Sequence, residues 1–153
     1  MAVGPPPDAL GRAYRTAQAV GGAMVLSLAV LAVVIAQIRR ANAPFAGFAP
    51  GVPHDLLRWI FAAFALADLW LVRFMRAKIL ANAALPPVRR LLSAAIVGLA
   101  LCEAVALYGF VLFVLAGRPT DYYVFAALAL LGFALYFPRR QAWEDWLGSQ
   151  PRP

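Results

Sequence analysis

Four long apolar stretches separated by short polar or proline-rich segments set the pattern of this chain. The first, over 19–38, carries no charge and is closed by Arg39 and Arg40. The second, over 56–76, contains Trp59 and Trp70 and ends among Arg73, Arg76 and Lys78. The third, over 91–116, begins after Pro86-Pro87 and Arg89-Arg90 and leaves at Gly117. The fourth, over 121–137, has Tyr122, Tyr123 and Tyr136 at its ends and is stopped by Pro138. Crossing a hydrocarbon layer of about 30 Å takes about 20 residues at about 1.5 Å per residue, and each stretch is close to that. Tryptophan, tyrosine and basic side chains at the ends of such stretches sit where interfacial anchors belong.

The pattern therefore predicts an all-α integral membrane protein, four transmembrane helices in an up-down bundle. Residues 1–18 form an N-terminal segment, 19–138 the single transmembrane domain, and 139–153 an amphipathic tail with Trp143 and Trp146 on one side. A signal peptide is the alternative for the first stretch, because Ala41-Asn42-Ala43 has the small-x-small form of a cleavage site. An apolar run longer than a signal core, two arginines before the site and Pro44 after it favour a transmembrane helix.

Composition agrees with the pattern. Of the 153 residues, 63% are hydrophobic and 14% charged, where a soluble domain has an apolar share nearer half and a charged share nearer a quarter. The net charge of +7 points first to loops facing anionic headgroups, and nucleic acid is not expected as a partner. In a four-span chain, ten Lys and Arg residues fall on one side and only Arg39, Arg40, Arg58 and Arg118 on the other. Both termini are then cytoplasmic, with the loop around His54 and the turn at Arg118 outside. Thirteen of the fourteen basic residues are Arg, a bias of GC-rich bacterial coding, which suggests a bacterial inner membrane. Cys102 has no second cysteine to pair with, and no Cys/His cluster offers a metal or cofactor site. His54 beside Asp55 reads as a solvated histidine next to a residue near the N-cap of the following helix.

Two acids lie inside the apolar stretches, Asp68 in the second and Glu103 in the third. An ionisable residue there costs about 2–3 kcal/mol or more if it faces lipid, so each calls for a partner or a proton. Counting from the cytoplasmic ends puts Asp68 at a depth of about 13 Å and Glu103 at about 17 Å. Ser27 of the first span falls at a similar depth. If the second and third spans pack as neighbours the two carboxyls can meet, and such a pair cannot comfortably hold two charges. Three uses are open: proton exchange, a small cation held with Ser27 as a neutral ligand, or hydrogen bonds that only specify helix packing. Around Glu103, small residues recur at helical spacing: Ala94 and Gly98, Ala100 and Ala104, then Gly109. This spacing allows close approach of another helix, from the same chain or from a second copy.

The segment E-A-V-A-L-Y-G-F-V, from Glu103 to Val111, resembles the ion-carrying helix of the proteolipid c subunits of rotary ATPases. The resemblance implies that Glu103 binds a proton or cation, with Tyr108 at the family's aromatic position. The chain departs from that family in having no glycine-repeat helix before the acid and L-P-P-V-R-R in the preceding loop. It is also similar to small four-span bacterial membrane proteins with an E-A-x-A-L-Y-G segment, a resemblance that implies no activity. With no histidine cluster, nucleophile pattern or phosphate loop, the sequence points away from an enzyme. It favours a non-catalytic accessory or assembly subunit whose partners are the bilayer and other membrane subunits or copies of itself. A proton- or cation-binding oligomer is the alternative.

Overall fold

The computed structural model describes residues 9–150. The N-terminal tip before Ala9 and the last three residues, with the Arg152 of the charge count, lie outside it. The described residues are all helical or loop: α1 Ala9–Ala41, α2 His54–Ala81, α3 Pro87–Ala116, α4 Pro119–Tyr136 and α5 Arg140–Gly148. Three of them, α1, α3 and α4, are long and apolar enough to cross a membrane. The 28 residues of α2 are long enough, but two acids and four cations interrupt their apolar character.

Local chemistry explains where each helix stops. Asn42 ends α1 by donating both its backbone N–H and its side-chain amide to the Ile38 carbonyl, at 3.0 Å each. Asn82 ends α2, and its Oδ1 accepts from Ala84 N at 3.1 Å, a local turn that competes with further helix. Pro87 opens α3 at a position where a missing N–H costs nothing. Gly117 closes it in the left-handed conformation, φ 72°, with its N–H on Phe113 O at 2.7 Å. Pro119 opens α4 as Pro87 opens α3, whereas α4 stops at an extended Phe137 followed by Pro138, which cannot continue a helix.

The helical boundaries extend those read from the hydropathy pattern. The lead-in before residue 19 and the first span are one continuous helix of 33 residues, about 50 Å long. The third helix starts at Pro87 rather than 91, which shortens the connection after α2 to a tight turn. In that turn Arg90 donates to Leu85 O at 2.7 Å and to Ala83 O at 3.2 Å.

The hub is α3, which packs on α1, α2 and α4, whereas α1 and α2 meet each other far less than they meet α3. Close approach is written into three glycines. A methyl group at Gly109 would sit 2.7 Å from Phe125 Cβ and 2.9 Å from Tyr122 Cα, so α4 presses directly on α3 there. At Gly98 it would meet Val72 of α2 at 3.3 Å, and at Gly132 it would meet the sulfur of buried Cys102 at 2.8 Å. The core formed this way includes Leu28, Ile35, Val72, Leu99, Leu112 and Phe113. Outward-facing side chains are themselves large and apolar: Leu26, Trp59, Leu66 and Trp70 are each more than 55% exposed, as suits a surface solvated by lipid.

The loop between α1 and α2 is bound to the end of α3. Phe48 N and Ala49 N donate to Val114 O and Leu115 O at 2.9 and 3.0 Å, satisfying carbonyls that a helix end leaves without partners. Gly47, with φ 88°, lets that backbone approach, since a methyl group there would run into the Leu115 carbonyl. At the opposite end α5 does not lie free as an amphipathic tail. Trp143 is buried against Ala13, Ala17, Leu91 and Ala95, and meets Tyr14 edge-on at 5.6 Å.

Candidate functional site

The sequence singles out Ser27, Asp68, Glu103 and Tyr108, and the structure joins them in two separate pairs. Ser27 Oγ of α1 is hydrogen-bonded to Glu103 Oε1 of α3. Tyr108 of α3 donates its hydroxyl to Asp68 Oδ2 of α2 at 2.7 Å. Glu103 and Tyr108 are five residues apart, about 140° around the helix, so α3 presents one to α1 and the other to α2. No hydrogen bond joins the two carboxyls among the described residues, so their similar depth brings each beside a hydroxyl rather than beside the other.

Proton counting constrains the first pair. Ser27 Oγ also lies 2.6 Å from Met24 O, and a serine hydroxyl has one proton to give. That proton goes to Glu103 Oε1 or to the Met24 carbonyl, or is shared between the two, so the serine ties α1 to α3 beside its own preceding turn. The second pair is held from the side: the Tyr108 ring stacks on Phe61 of α2 at 5.5 Å with planes 5° apart, and Phe64 lies 6.3 Å away. No buried side-chain nitrogen or oxygen lacks a hydrogen bond among the described residues.

The small residues divide by face. Ala94, Gly98 and Gly109 are buried inside the molecule, Gly98 under α2 and Gly109 under α4. Ala100 is exposed and Ala104 half-buried, and with Leu107 and Val111 they form an outward strip beside Glu103.

A third polar site is one that the sequence reading set aside. His54 is not solvated: its side chain is only 9% exposed, and Nε2 lies 2.6 Å from Asp121 Oδ2. Asp121, in the first turn of α4, is 3% exposed and is also reached by Arg58 Nε at 3.5 Å. His54 Nδ1 meets the exposed Asp55 at 3.2 Å, and Arg118 approaches the same carboxylate at 3.9 Å. Both acids stand in first turns, where the positive ends of α2 and α4 favour negative charge. The available signal was topological: placing the His54 loop and the Arg118 turn on one side already put these five residues at one end.

The hydropathy pattern makes Arg76 an interfacial anchor at the end of α2. It reaches across instead, donating to Tyr136 O at 3.3 Å and lying 5.8 Å from that ring, so it caps the C-terminal end of α4. No group of three or more His, Cys, Asp or Glu side chains is placed to hold a metal ion among the described residues. Comparison with family models, curated proteins and solved structures finds no match for this chain.

Proposed function

We propose that this chain is a non-catalytic polytopic membrane protein, an accessory or assembly subunit that associates through α3 with a helix of another subunit or of a second copy. In this reading α2 is the fourth span, its inner acid hydrogen-bonded by Tyr108 and its cations placed toward the ends, and both termini face the cytoplasm of a bacterium. The observation that carries the proposal is that each acid inside the apolar region has a hydroxyl partner on a neighbouring helix of the same chain. A carboxyl engaged in this way specifies which helices meet and needs no further ligand. The strip of Ala100, Ala104, Leu107 and Val111 is then the part of α3 left for an outside helix, small enough at its centre for close approach.

A second reading is supported by the placement of Glu103. A carboxyl hydrogen-bonded to a serine, at the edge of an outward strip, is also how a proton- or cation-binding oligomer would present Glu103. The two are separated by the mass of the particle extracted from native membranes, for the parent chain and for Glu103→Gln. Co-extraction of other subunits, indifferent to the substitution, supports the accessory role. A homogeneous homo-oligomer whose behaviour changes with pH, and ceases to change in Glu103→Gln, supports ion binding and overturns the first reading.

A further inference from the structure

Beyond its 19–38 stretch, α1 continues toward its N-terminus for about three more turns, and α5 closes over them. Tyr14 and Trp143 pack edge to face, and beside them opens a pocket of about 420 Å³. That volume is within the range of about 300–1,000 Å³ in which small-molecule sites fall. Among the described residues its charged lining consists of Arg15 from α1 and Arg140 from α5, beside Leu10, Gly11, Tyr14, Gln18 and Trp143, with no carboxylate. Gln18 donates its amide to Tyr14 OH at 3.0 Å, which holds both polar groups at the rim. Arg15 donates through Nε to Gly11 O at 3.4 Å and Arg140 through Nε to Glu144 at 2.8 Å. Among the described residues the terminal nitrogens of both guanidiniums, the fork suited to phosphate oxygens, make no hydrogen bond.

Depth says which anion arrives there. Arg15 is twelve residues before Ser27, about 18 Å along the axis, and the hydrocarbon half-thickness is about 15 Å. With the Ser27–Glu103 contact near mid-membrane, Arg15 stands at the level of lipid phosphates. We propose that the pocket between the N-terminal turns of α1 and α5 binds the phosphate of an anionic membrane lipid through the Arg15 and Arg140 guanidiniums. The inference rests on the membrane reading above, but on neither choice between accessory subunit and ion binder.

A second basic pocket, at the far end of α1, is the internal comparison. It is lined by Arg39, Arg40, Pro44, Phe45 and Pro119. Its two arginines are consecutive on one helix, about 100° apart, so they diverge instead of converging from two elements. Their position in the last turn is already accounted for by the negative end of the helix.

The test uses the full chain in mixed micelles with phosphatidylglycerol and phosphatidylcholine of matched acyl chains, and native mass spectrometry reads the lipid retained. The parent chain should keep phosphatidylglycerol over phosphatidylcholine. Each of Arg15→Gln and Arg140→Gln should weaken that retention about 5-fold and the double substitution about 30-fold. Arg39→Gln/Arg40→Gln should leave it within about 2-fold. Equal retention in all variants, an equal loss from the Arg39/Arg40 pair, or displacement of the lipid by inorganic phosphate would overturn the proposal, the last by reassigning the pocket to a free anion. Circular dichroism of each variant shows that the helices persist. Release of the chain from membranes by alkaline carbonate would refute the membrane reading itself; a chain that stays embedded without lipid preference refutes only the pocket.

Discussion

The middle of the molecule and the end where α2 and α4 begin satisfy their acids in opposite ways. In the middle, Glu103 and Asp68 each meet a single hydroxyl, and among the described residues no cation is paired with either. At that end, Asp121 is more deeply buried but is met by His54 and Arg58, and a second acid, Asp55, extends the cluster to Arg118. Solvation accounts for the contrast. Where apolar residues surround the acids, the partner each one meets is a hydroxyl on a neighbouring helix. Within reach of water and of two helix N-termini, a charged network is affordable and joins α2 to α4. The middle uses its acids to choose neighbours for α3, and the end uses its acids to lock a corner.

The comparison breaks most visibly at the locked corner. Asp121→Ala leaves His54 with its side chain buried and Arg58 without its carboxylate, and removing one member of a buried pair costs about 3–5 kcal/mol. Denaturation of the micelle-bound chain should show the largest loss of stability for this substitution, and α2 and α4 should separate first at that end by hydrogen exchange. A loss below about 1 kcal/mol would place the corner in water, as at an ordinary surface pair.

Next in size is Gly109→Leu, at the α3–α4 contact. Its first carbon alone would lie 2.9 Å from Tyr122 Cα and 3.1 Å from Asp121 O, backbone atoms that cannot turn aside. Overpacking of this kind costs about 1–3 kcal/mol, and the corner around Asp121 should loosen with it. Leucine at Ala100, on the outward strip, should cost the monomer little and should instead change the mass of the extracted particle.

What the sequence made legible follows the same division. Hydropathy and punctuation reveal the helices, because Arg39-Arg40, Pro86-Pro87, Gly117 and Pro138 act locally. Depth counting puts Ser27 at the level of Glu103, since both positions follow from a rise per residue along straight helices, but not in contact with it. It leaves open whether Asp68 faces Glu103, because that depends on helix rotation, and rotation is set by side chains such as Phe61 and Leu99 that packing selects. His54 was read as solvated because a histidine in a loop with an acid beside it is usually so. Its actual partner lies 67 positions away, and only tertiary contact reveals it. The tail misleads for a related reason: an amphipathic nine-residue helix has the same pattern whether its tryptophans meet lipid or Ala13 and Ala17.

Smaller effects belong to the middle. Glu103→Leu removes the partner of Ser27 and should cost about 1–2 kcal/mol, the range for interhelical hydrogen bonds in model membranes, while Ser27 keeps its bond to Met24 O. Tyr108→Phe keeps the stack on Phe61 and removes only the hydroxyl from Asp68. The average cost of such a change in a folded membrane protein is about 0.6 kcal/mol. A double-mutant cycle between Tyr108 and Asp68 should return that coupling, and none should appear between Asp68 and Glu103.

The smallest expected effect carries the most information. Glu103→Gln replaces a carboxyl by an amide of nearly the same shape that can donate to Ser27 Oγ as a protonated carboxyl does. If the acid in the middle serves only to hold α1 on α3, the substitution should change stability by less than about 0.5 kcal/mol. The chain should then show the same particle mass and the same response to pH as its parent. If the proton on Glu103 is exchanged in use, stability will again be little changed but the pH response will vanish. Loss of stability by more than about 1.5 kcal/mol has a different meaning. It would indicate a carboxylate accepting from Ser27, with the Met24 carbonyl left to find its proton elsewhere, and the middle of the molecule would then resemble the corner around Asp121 in holding charge.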